Sequence, residues 1–241
     1  MDIVAVLEED PDLAKGVSGP RLAPARKELR AEAMTIPTGP WDAGRMRREV
    51  DGGFGLLVLD GVLARRVGRG GRYGAELLGR GDLIRPDEDE GDSLTAPLEM
   101  AWRVIQPTRV ALLDHRFLQR CTPYPEIGVC LVNRASSRAR RILVHMAIAH
   151  HARVDKRLEL LLWHLADRWG RVTPHGVAMP VRLTHELLAD LVAAQRPSVT
   201  LSLQQLERAG RLTRRDSIIY LLGEPPDEDA DDLDDVQRTA A

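Results

Sequence analysis

The sequence contains little cysteine and no long hydrophobic run. Only Cys121 and Cys130 occur among its 241 residues, which excludes a disulfide-stapled scaffold and a four-cysteine zinc or iron–sulfur site. No apolar stretch approaches the roughly 20 residues that a membrane-spanning helix needs. The first residues, MDIVAVLEEDPDLAKG, are acidic and lack a basic leader region, so we expect no secretory signal. These absences predict a cytoplasmic protein without a membrane partner.

What is present indicates a folded protein with segregated charge. Hydrophobic residues make up 44% of the chain and charged residues 29%, which is typical of globular domains. The formal net charge is -2, but eight acids and no base lie between Glu224 and Asp235. The chain before Glu224 holds 33 basic and 28 acidic residues. A basic body fits nucleic-acid binding, although charge alone is a weak signal. We expect residues 224–241 to form an acidic disordered tail.

The N-terminal half predicts short helices followed by β-strands. Residues 1–33 are typical of one or two short helices, and glycine becomes dense after Met34. Turn signals at Asp60-Gly61 and at Gly68–Gly71 separate short apolar runs. We interpret these runs as strands of an antiparallel β barrel or jelly roll. The predicted strands are Gly53–Asp60, Gly61–Val67, Tyr73–Leu78, Ala101–Ile105 and Val110–Leu113. The acidic run Asp87–Asp92 lacks the spacing of a calcium loop and predicts a solvated loop.

After Pro125 the hydrophobic period changes to about 3.5 residues, which predicts a long helix over residues 125–152. One row of apolar or small residues follows alternating spacings of four and three, and we call it the seam: Gly128, Val132, Ala135, Ala139, Ile142, Met146 and Ala149. Two interpretations stay open. The helix packs on the β domain as a core helix, or it pairs with a second copy as a coiled coil, which the narrow seam favours.

The sequence of the C-terminal part predicts three helices and a β-hairpin, with a turn between the second and third helices. An apolar helix from about Val154 ends at Gly170, and a short connection with room for two small strands follows. Thr184 is a good N-cap for the next helix. Periodicity breaks at Ala193–Arg196, and Pro197 opens another helix that Gly210 ends. Strands at Arg211–Arg214 and Ile218–Leu222 complete a winged helix–turn–helix, a pattern typical of DNA-binding modules.

Polar residues on this module form a candidate DNA-binding surface. Side chains at the start of the second helix can hydrogen-bond bases or phosphates, and arginines at the wing can reach the backbone. The predicted residues are Thr184, Gln195, Arg196, Ser198, Thr200, Ser202, Arg214 and Arg215. The alternative interpretation is a helical hairpin used for protein contacts.

Across nearly its whole length the sequence resembles the Crp/Fnr family of bacterial transcription regulators. The segment LTHELLADLVAAQRPSVTLSLQQLERAGRL is similar to the family's helix–turn–helix signature, and GLLVLDGVLARRVGRGGRYGAELLGRGDLI is similar, more loosely, to the middle strands of its cyclic-nucleotide-binding-like barrel. The resemblance implies an α+β chain with a β-barrel sensor domain over residues 1–124, a dimerisation helix over 125–152 and a winged helix–turn–helix over 153–223. It also implies a homodimer on double-stranded DNA.

The resemblance assigns roles to several of the candidate residues. Arg196 corresponds to a base-contacting arginine, and phosphate contacts are implied for Thr184, Gln195, Ser198 and Arg215. Three departures predict a different operator: Pro197 and Leu201 replace base-reading residues, and Ala193 replaces the turn glycine. Ala193 costs up to roughly 1 kcal/mol if its backbone is left-handed.

The sensor half departs further from members that bind cyclic AMP. Arg85, Pro86 and the acids Asp87–Glu90 follow the Gly81-Asp82 turn, where those members have a Gly-Glu phosphate cassette. The family's arginine followed by a hydroxyl residue is also missing. Acids repel a cyclic phosphate, so we expect no cyclic AMP binding unless Arg85 or Arg103 substitutes.

Other chemistries receive less support from the sequence. His145, His150 and His151 on the long helix are candidate haem or metal ligands, but histidines at helix ends commonly serve the helix dipole. Cys121 and Cys130 form a candidate redox pair. We therefore expect no enzyme, no metal and no cofactor; RNA polymerase and an unidentified small-molecule effector are candidate further partners. The alternative function is a ligand-sensing module that acts through protein contacts and carries a vestigial DNA-binding half.

Overall fold

The computed structural model describes residues 2–86 and 99–226. The chain divides once into two compact units, Met1–Val144 and His145–Ala241, whereas the sequence predicted a separate helix over 125–152. The acidic run at 87–92, the segment that would hold a phosphate cassette, and most of the acidic tail lie outside the described residues. No helix in the part of the chain that the structure describes is long and apolar enough to cross a membrane.

The first unit is built on an antiparallel sheet of jelly-roll type. Its main path runs β1-β2-β7-β4-β5, with β3 paired to β7 and β6 paired to β4. Among the described strands this path does not close into a ring, since it ends at β1 and β5. The strands are β1 (Asp2–Ala5), β2 (Arg30–Ile36), β3 (Gly39–Trp41), β4 (Gly55–Arg69), β5 (Arg72–Gly79), β6 (Leu83–Ile84) and β7 (Glu99–Leu113).

Short helices pack on both sides of this sheet, and the long helix follows them. The helices are α1 (Val6–Glu9), α2 (Gly19–Glu28), α3 (Arg47–Val50), α4 (His115–Cys121) and α5 (Pro125–Ala149), with single 3-10 turns at Pro11–Ala14 and Ala43–Met46. The short helices predicted for residues 1–33 are present as α1 and α2, but β1 and the start of β2 also lie in this region and were not predicted. The long helix is present as predicted.

Strand β4 is buried on both faces, which explains its continuous apolar run. Leu57 and Leu59 lie in a core with the N-terminal helices, α4 and α5, while Leu56 and Val58 lie in a second core with Trp102. Successive side chains of a strand point to opposite faces, so residues next to each other reach different cores. A strand that is covered on both sides shows no alternation of apolar and polar residues.

The sequence predicted a break in each of the two longest strands, β4 and β7, and both predictions are wrong. The two positions lie where the pairing of β4 with β7 is irregular. Asp60-Gly61 is not a hairpin turn, because β4 continues through it with shifts of register against β7 between Val58 and Leu63. Likewise β7 runs unbroken through Pro107 instead of forming two strands. Gly61 has φ +91° and lies against the backbone of Thr108. The glycine that suggested a turn serves a bulge instead. The turn at Gly70-Gly71 between β4 and β5 is confirmed.

Helix α5 packs on the first unit with a face that differs from the seam. Ile127 and Leu131 are buried in the core that contains the N-terminal helices. One, two and three turns further on, three arginines of the same face reach acids of the sheet and its loops: Arg134 to Asp10, Arg138 to Glu76, and Arg141 to Asp82. The seam lies on another side of the helix, where Val132 is 62% and Met146 is 53% exposed.

The two cysteines are free thiols in different surroundings. Cys121 at the end of α4 is buried, and burial raises the pKa of its thiol to about 12. It therefore stays protonated at neutral pH and cannot act as a thiolate. Cys130 on α5 is half-buried, with its Sγ 3.7 Å from the carbonyl oxygen of Asp12.

The second unit contains three helices and a four-stranded antiparallel sheet of order β10-β11-β9-β8. Its elements are α6 (Val154–Trp169), β8 (Arg171–Thr173), β9 (Gly176–Met179), α7 (His185–Leu191), α8 (Arg196–Arg208), β10 (Leu212–Arg215) and β11 (Ile218–Leu221). The leucine face predicted for α6 is buried, as Leu158, Leu161 and Leu162 show. The helices and the hairpin follow in the predicted order.

The bulge of β4 gives a prediction for stability. A Cβ added at Gly61 would overlap the carbonyl oxygen of Pro107 and lie 2.6 Å from Cα of Thr108. We expect Gly61→Ala to lower the free energy of unfolding by about 3 kcal/mol, through steric overlap added to backbone strain. Gly70→Ala is the matched control, because φ is also positive there but no atom lies within 4 Å of its added Cβ. It should cost about 1 kcal/mol. Equal shifts in urea unfolding would contradict this account.

Candidate nucleic-acid interface

The first helix of the helix–turn–helix motif, α7, begins at the predicted cap. Thr184 accepts a hydrogen bond from the backbone N–H of Leu187 through its Oγ1, at 3.2 Å. The side chain satisfies one of the free N–H groups at the helix start. Thr184 is exposed, and its hydroxyl retains one hydrogen that it can donate. Behind it, Leu187, Leu188 and Ala189 are buried.

The turn after α7 is held by side chains from other helices. Arg157 on α6 donates to the carbonyl oxygens of Val192 and Ala193 at 3.0 and 3.3 Å, and its remaining nitrogens reach the carbonyls of His151 and Ala152. His145 Nε2 contacts the Leu191 carbonyl oxygen. These contacts satisfy carbonyls that a helix end leaves free. Ala193 itself is left-handed, with φ +50°.

The second helix, α8, starts at Arg196 with Pro197 in its first turn, where proline is tolerated. Its inner face carries Val199, Leu203 and Leu206, all buried as predicted. The predicted outer residues Gln195, Arg196 and Ser198 are exposed and Thr200 is half-buried.

One predicted contact residue of α8 is wrongly placed. Ser202 is only 5% exposed, whereas the sequence analysis placed it on the solvent face. Its position explains the error: it follows Val199 by three residues and precedes Leu206 by four, so it belongs to the inner face. Ser202 is removed from the candidate surface.

The β-hairpin after α8 forms the wing. Asp216 and Ser217 both have positive φ, +50° and +67°, which matches the two-residue turns that join twisted strands. Arg214 makes a two-point ion pair with Glu207 of α8, at 3.1 and 2.6 Å. Arg215 is exposed, and neither it nor Arg196 has an ion pair with any residue that the structure describes. Arg196 and Arg215 are therefore the free cations of this surface within the described chain.

A histidine that the sequence analysis left unassigned connects the three elements of the surface. Thr200 donates its single hydroxyl hydrogen to the Arg196 carbonyl at 3.0 Å, so His185 Nδ1 must be the donor in the 2.9 Å contact with Thr200 Oγ1. Nε2 of the same ring faces Arg214 at 3.4 Å and accepts, because a guanidinium only donates. The ring is thus neutral, and its pKa is lowered by burial and by the charges of Arg214 and Arg196.

These connecting residues were hard to find from sequence. His185 directly follows the capping threonine, which is the one local sign that it lies at the surface of the motif. Arg157 and His145 lie 35 and 46 residues before the carbonyls that they contact, so no spacing rule links them. His145 and His150 contact backbone carbonyls, and residues 2–86 and 99–226 hold no cluster of three or more groups suited to a metal.

The neutral state of His185 predicts a dependence of stability on pH. A lowered pKa in the folded state means that the unfolded chain binds a proton first as pH falls. The contribution of His185 is therefore complete above about pH 6.5 and is lost as pH falls towards its lower folded pKa. We expect the difference in unfolding free energy between wild type and His185→Gln to shrink over this range. His175→Gln, on the exposed β8–β9 hairpin, should leave the pH profile unchanged; a similar change in both variants would contradict the assignment.

Comparison with known proteins agrees with this geometry. Residues 156–223 match the Crp-like helix-turn-helix domain family. The protein ycf28 of Porphyra purpurea, named as a putative HTH-type transcriptional regulator, is 29% identical over 86 residues. That match covers 36% of each chain, so this chain spans about a third of the length of the curated relative.

Solved structures resemble most of the chain in fold. A cyclic nucleotide-binding domain containing protein from Listeria monocytogenes EGD-e has a TM-score of 0.64 at 12% identity, over 88% of this chain and 96% of its own. TTHA1359, a CRP/FNR family transcriptional regulator from Thermus thermophilus, has a TM-score of 0.57 at 18% identity, over 80% and 94%. Residues 156–223 therefore match the Crp-like helix–turn–helix domain family, and the chain shares the fold of solved Crp/Fnr regulators.

Proposed function

We propose that the protein is a cytoplasmic transcription regulator of the Crp/Fnr type that binds a pseudo-palindromic operator as a homodimer. It is not an enzyme, and its effector is not cyclic AMP. The observation that carries the proposal is the exposed start of α8, where Arg196 and Ser198 face outward beside the free Arg215 of the wing. An arginine at a helix N-terminus suits guanine in the major groove, and a wing arginine suits phosphate.

The remaining exposed groups of the surface support phosphate contacts. Thr184 accepts a hydrogen bond at the start of α7 through its oxygen, and its hydroxyl can donate to a phosphate. Gln195 is exposed at the start of α8. Arg214 is held by Glu207, so it contributes less net charge than Arg215. We therefore assign the base contact to Arg196 and the wing phosphate contact to Arg215.

A homodimer through the seam of α5 is supported by what the helix leaves uncovered. One face of α5 is occupied by the arginine–carboxylate pairs of the first unit. The seam residues Val132, Ala135, Ala139 and Met146 are exposed, and Ile142 and Ala149 are half-buried. Their four-and-three spacing matches the a and d positions of a two-stranded coiled coil. Two-fold symmetry then predicts half-sites about one helical turn, roughly 10 bp, apart.

The exclusion of cyclic AMP rests on charge. The segment that replaces the phosphate cassette carries the acids Asp87–Glu90 and lies outside the described residues. Of the two candidate substitutes, Arg103 is exposed on β7 between the buried Trp102 and Val104, so its side chain lies on the other face of the strand. Arg85 follows β6 and is half-buried. A buried cyclic phosphate without a cationic partner costs several kcal/mol. The effector and any contact with RNA polymerase therefore have to be sought by binding experiments.

The dimer predicts a specific effect of charge in the seam. Val132→Asp would bury two carboxylates in the coiled coil at a cost of several kcal/mol, and sedimentation should show a monomer. Because Val132 is exposed in the single chain, the fold should persist. Asn133→Asp adds the same charge at the next residue, outside the seam, and should remain dimeric. A dimeric Val132→Asp, or a monomeric wild type at micromolar concentration, would refute the seam as the interface.

The two arginine roles predict different losses of DNA affinity. On a site selected by the wild-type protein, Arg196→Ala should cost roughly 1–3 kcal/mol and relax base preference at one position per half-site. Arg215→Ala should weaken all sequences alike and reduce the salt dependence. Arg171→Ala, an exposed arginine on β8 at the far edge of the sheet from β10, is the control and should change neither. Binding of no DNA at all by the wild type would favour the alternative, a module that acts through protein contacts.

A further inference from the structure

One large hydrophobic side chain of α8 is exposed. Leu201 is 54% exposed, whereas Val199, Leu203 and Leu206 of the same helix are at most 5% exposed. Leu201 lies one turn after Pro197 and one turn before Gln204 and Gln205, all of which are exposed. A large hydrophobic side chain thus lies on the solvent face of the helix.

The charges around this face restrict what can cover Leu201. The exposed bases Arg196 and Arg208 lie on the same helix, and Arg215 lies on the adjoining wing. The one acid of α8, Glu207, is paired with Arg214. Exposed bases on the helix and on the wing, with the acid of α8 already paired, fit a polyanion that itself presents an apolar group to Leu201. The major groove of DNA meets this description, because it displays the C5 methyl group of thymine between two rows of phosphates.

The two residues next to Leu201 in the sequence are not available for contacts with a base. Thr200 uses its hydroxyl internally, since it donates to the Arg196 carbonyl and accepts from His185. Ser202 is buried. Neither can provide a polar contact to a base edge without breaking an existing interaction or leaving its buried position.

We propose that Leu201 contacts the 5-methyl group of one thymine in each half-site, and that it is a specificity-determining residue. The proposal rests on the proposed function, in which α8 enters the major groove. Leu201 follows Arg196 by five residues, which is about 7.5 Å along the helix axis. At roughly 3.4 Å per base-pair step, the thymine lies about two base pairs from the position that Arg196 reads.

The test removes only the methyl group. A duplex carrying the site selected by the wild-type dimer is remade with deoxyuridine in place of each thymine in turn, at the symmetry-related positions of both half-sites. At one thymine per half-site we expect wild-type binding to weaken about fourfold for each methyl removed, as expected for burial of one methyl group. Leu201→Ala should bind the natural duplex more weakly and be insensitive to deoxyuridine at that position.

Two controls separate this effect from general damage. Val172→Ala trims another exposed apolar side chain, 90% exposed on β8, and should keep the full sensitivity to deoxyuridine. Replacing the sensitive pair by C·G should weaken wild-type binding, and 5-methylcytosine at that position should restore part of it for the wild type but not for Leu201→Ala.

The outcomes distinguish this proposal from the proposed function. If the wild type selects a site but Leu201→Ala shows the same response to deoxyuridine at every thymine, the thymine contact is refuted and the regulator function stands. If the wild type selects no site from a random DNA library, the proposed function fails and the thymine contact fails with it. If Leu201→Ala disrupts a protein complex while its DNA binding equals that of the wild type, Leu201 belongs to a protein interface and the proposal is wrong.

Discussion

The placement of helix α5 depends on ion pairs between its arginines and acids of the sheet. Asp10 and Asp82 are each 4% exposed, and their partners are Arg134 and Arg141, the latter pair at 2.6 Å. Between them Arg138 donates to Glu76 and to the carbonyl of Leu83. A buried carboxylate that loses its partner costs about 3–5 kcal/mol. The three pairs therefore hold one face of α5 against the first unit at a fixed rotation.

This rotation explains how both interpretations of the long helix fit the chain. The sequence left open a core helix and a coiled-coil helix, because the seam suits either kind of packing. In the structure, the row Ile127, Leu131, Arg134, Arg138 and Arg141 packs on the first unit. The seam lies on a different side and stays uncovered. A single helix thus has one face for its own unit and a second face free for another copy.

The helix–turn–helix unit shows a similar division between local and distant contacts. Its caps, its proline and its buried faces are local signals, because each acts within one turn of helix. The geometry of the surface, however, depends on contacts across the unit. Arg157 and His145 hold the carbonyls at the end of α7. His185 joins α7 to α8 and to the wing. Arg196 and Arg215 have no ion pair within the described chain, whereas Arg214 is paired with Glu207, a difference that no local sequence pattern shows.

The sequence by itself determined the fold class, the long helix and the helix–turn–helix with its wing, because hydrophobic period, caps and breakers act over a few residues. Tertiary structure decided three other features. Gly61 lies in a bulge and not a turn, since β7 continues opposite it as a strand of 15 residues. Ser202 turns inward because α8 packs against α6 and α7. The acids that bind the arginines of α5 come from loops and strands 59 to 124 residues away. No short-range pattern encodes such pairings, since they form only when distant segments meet in the folded chain.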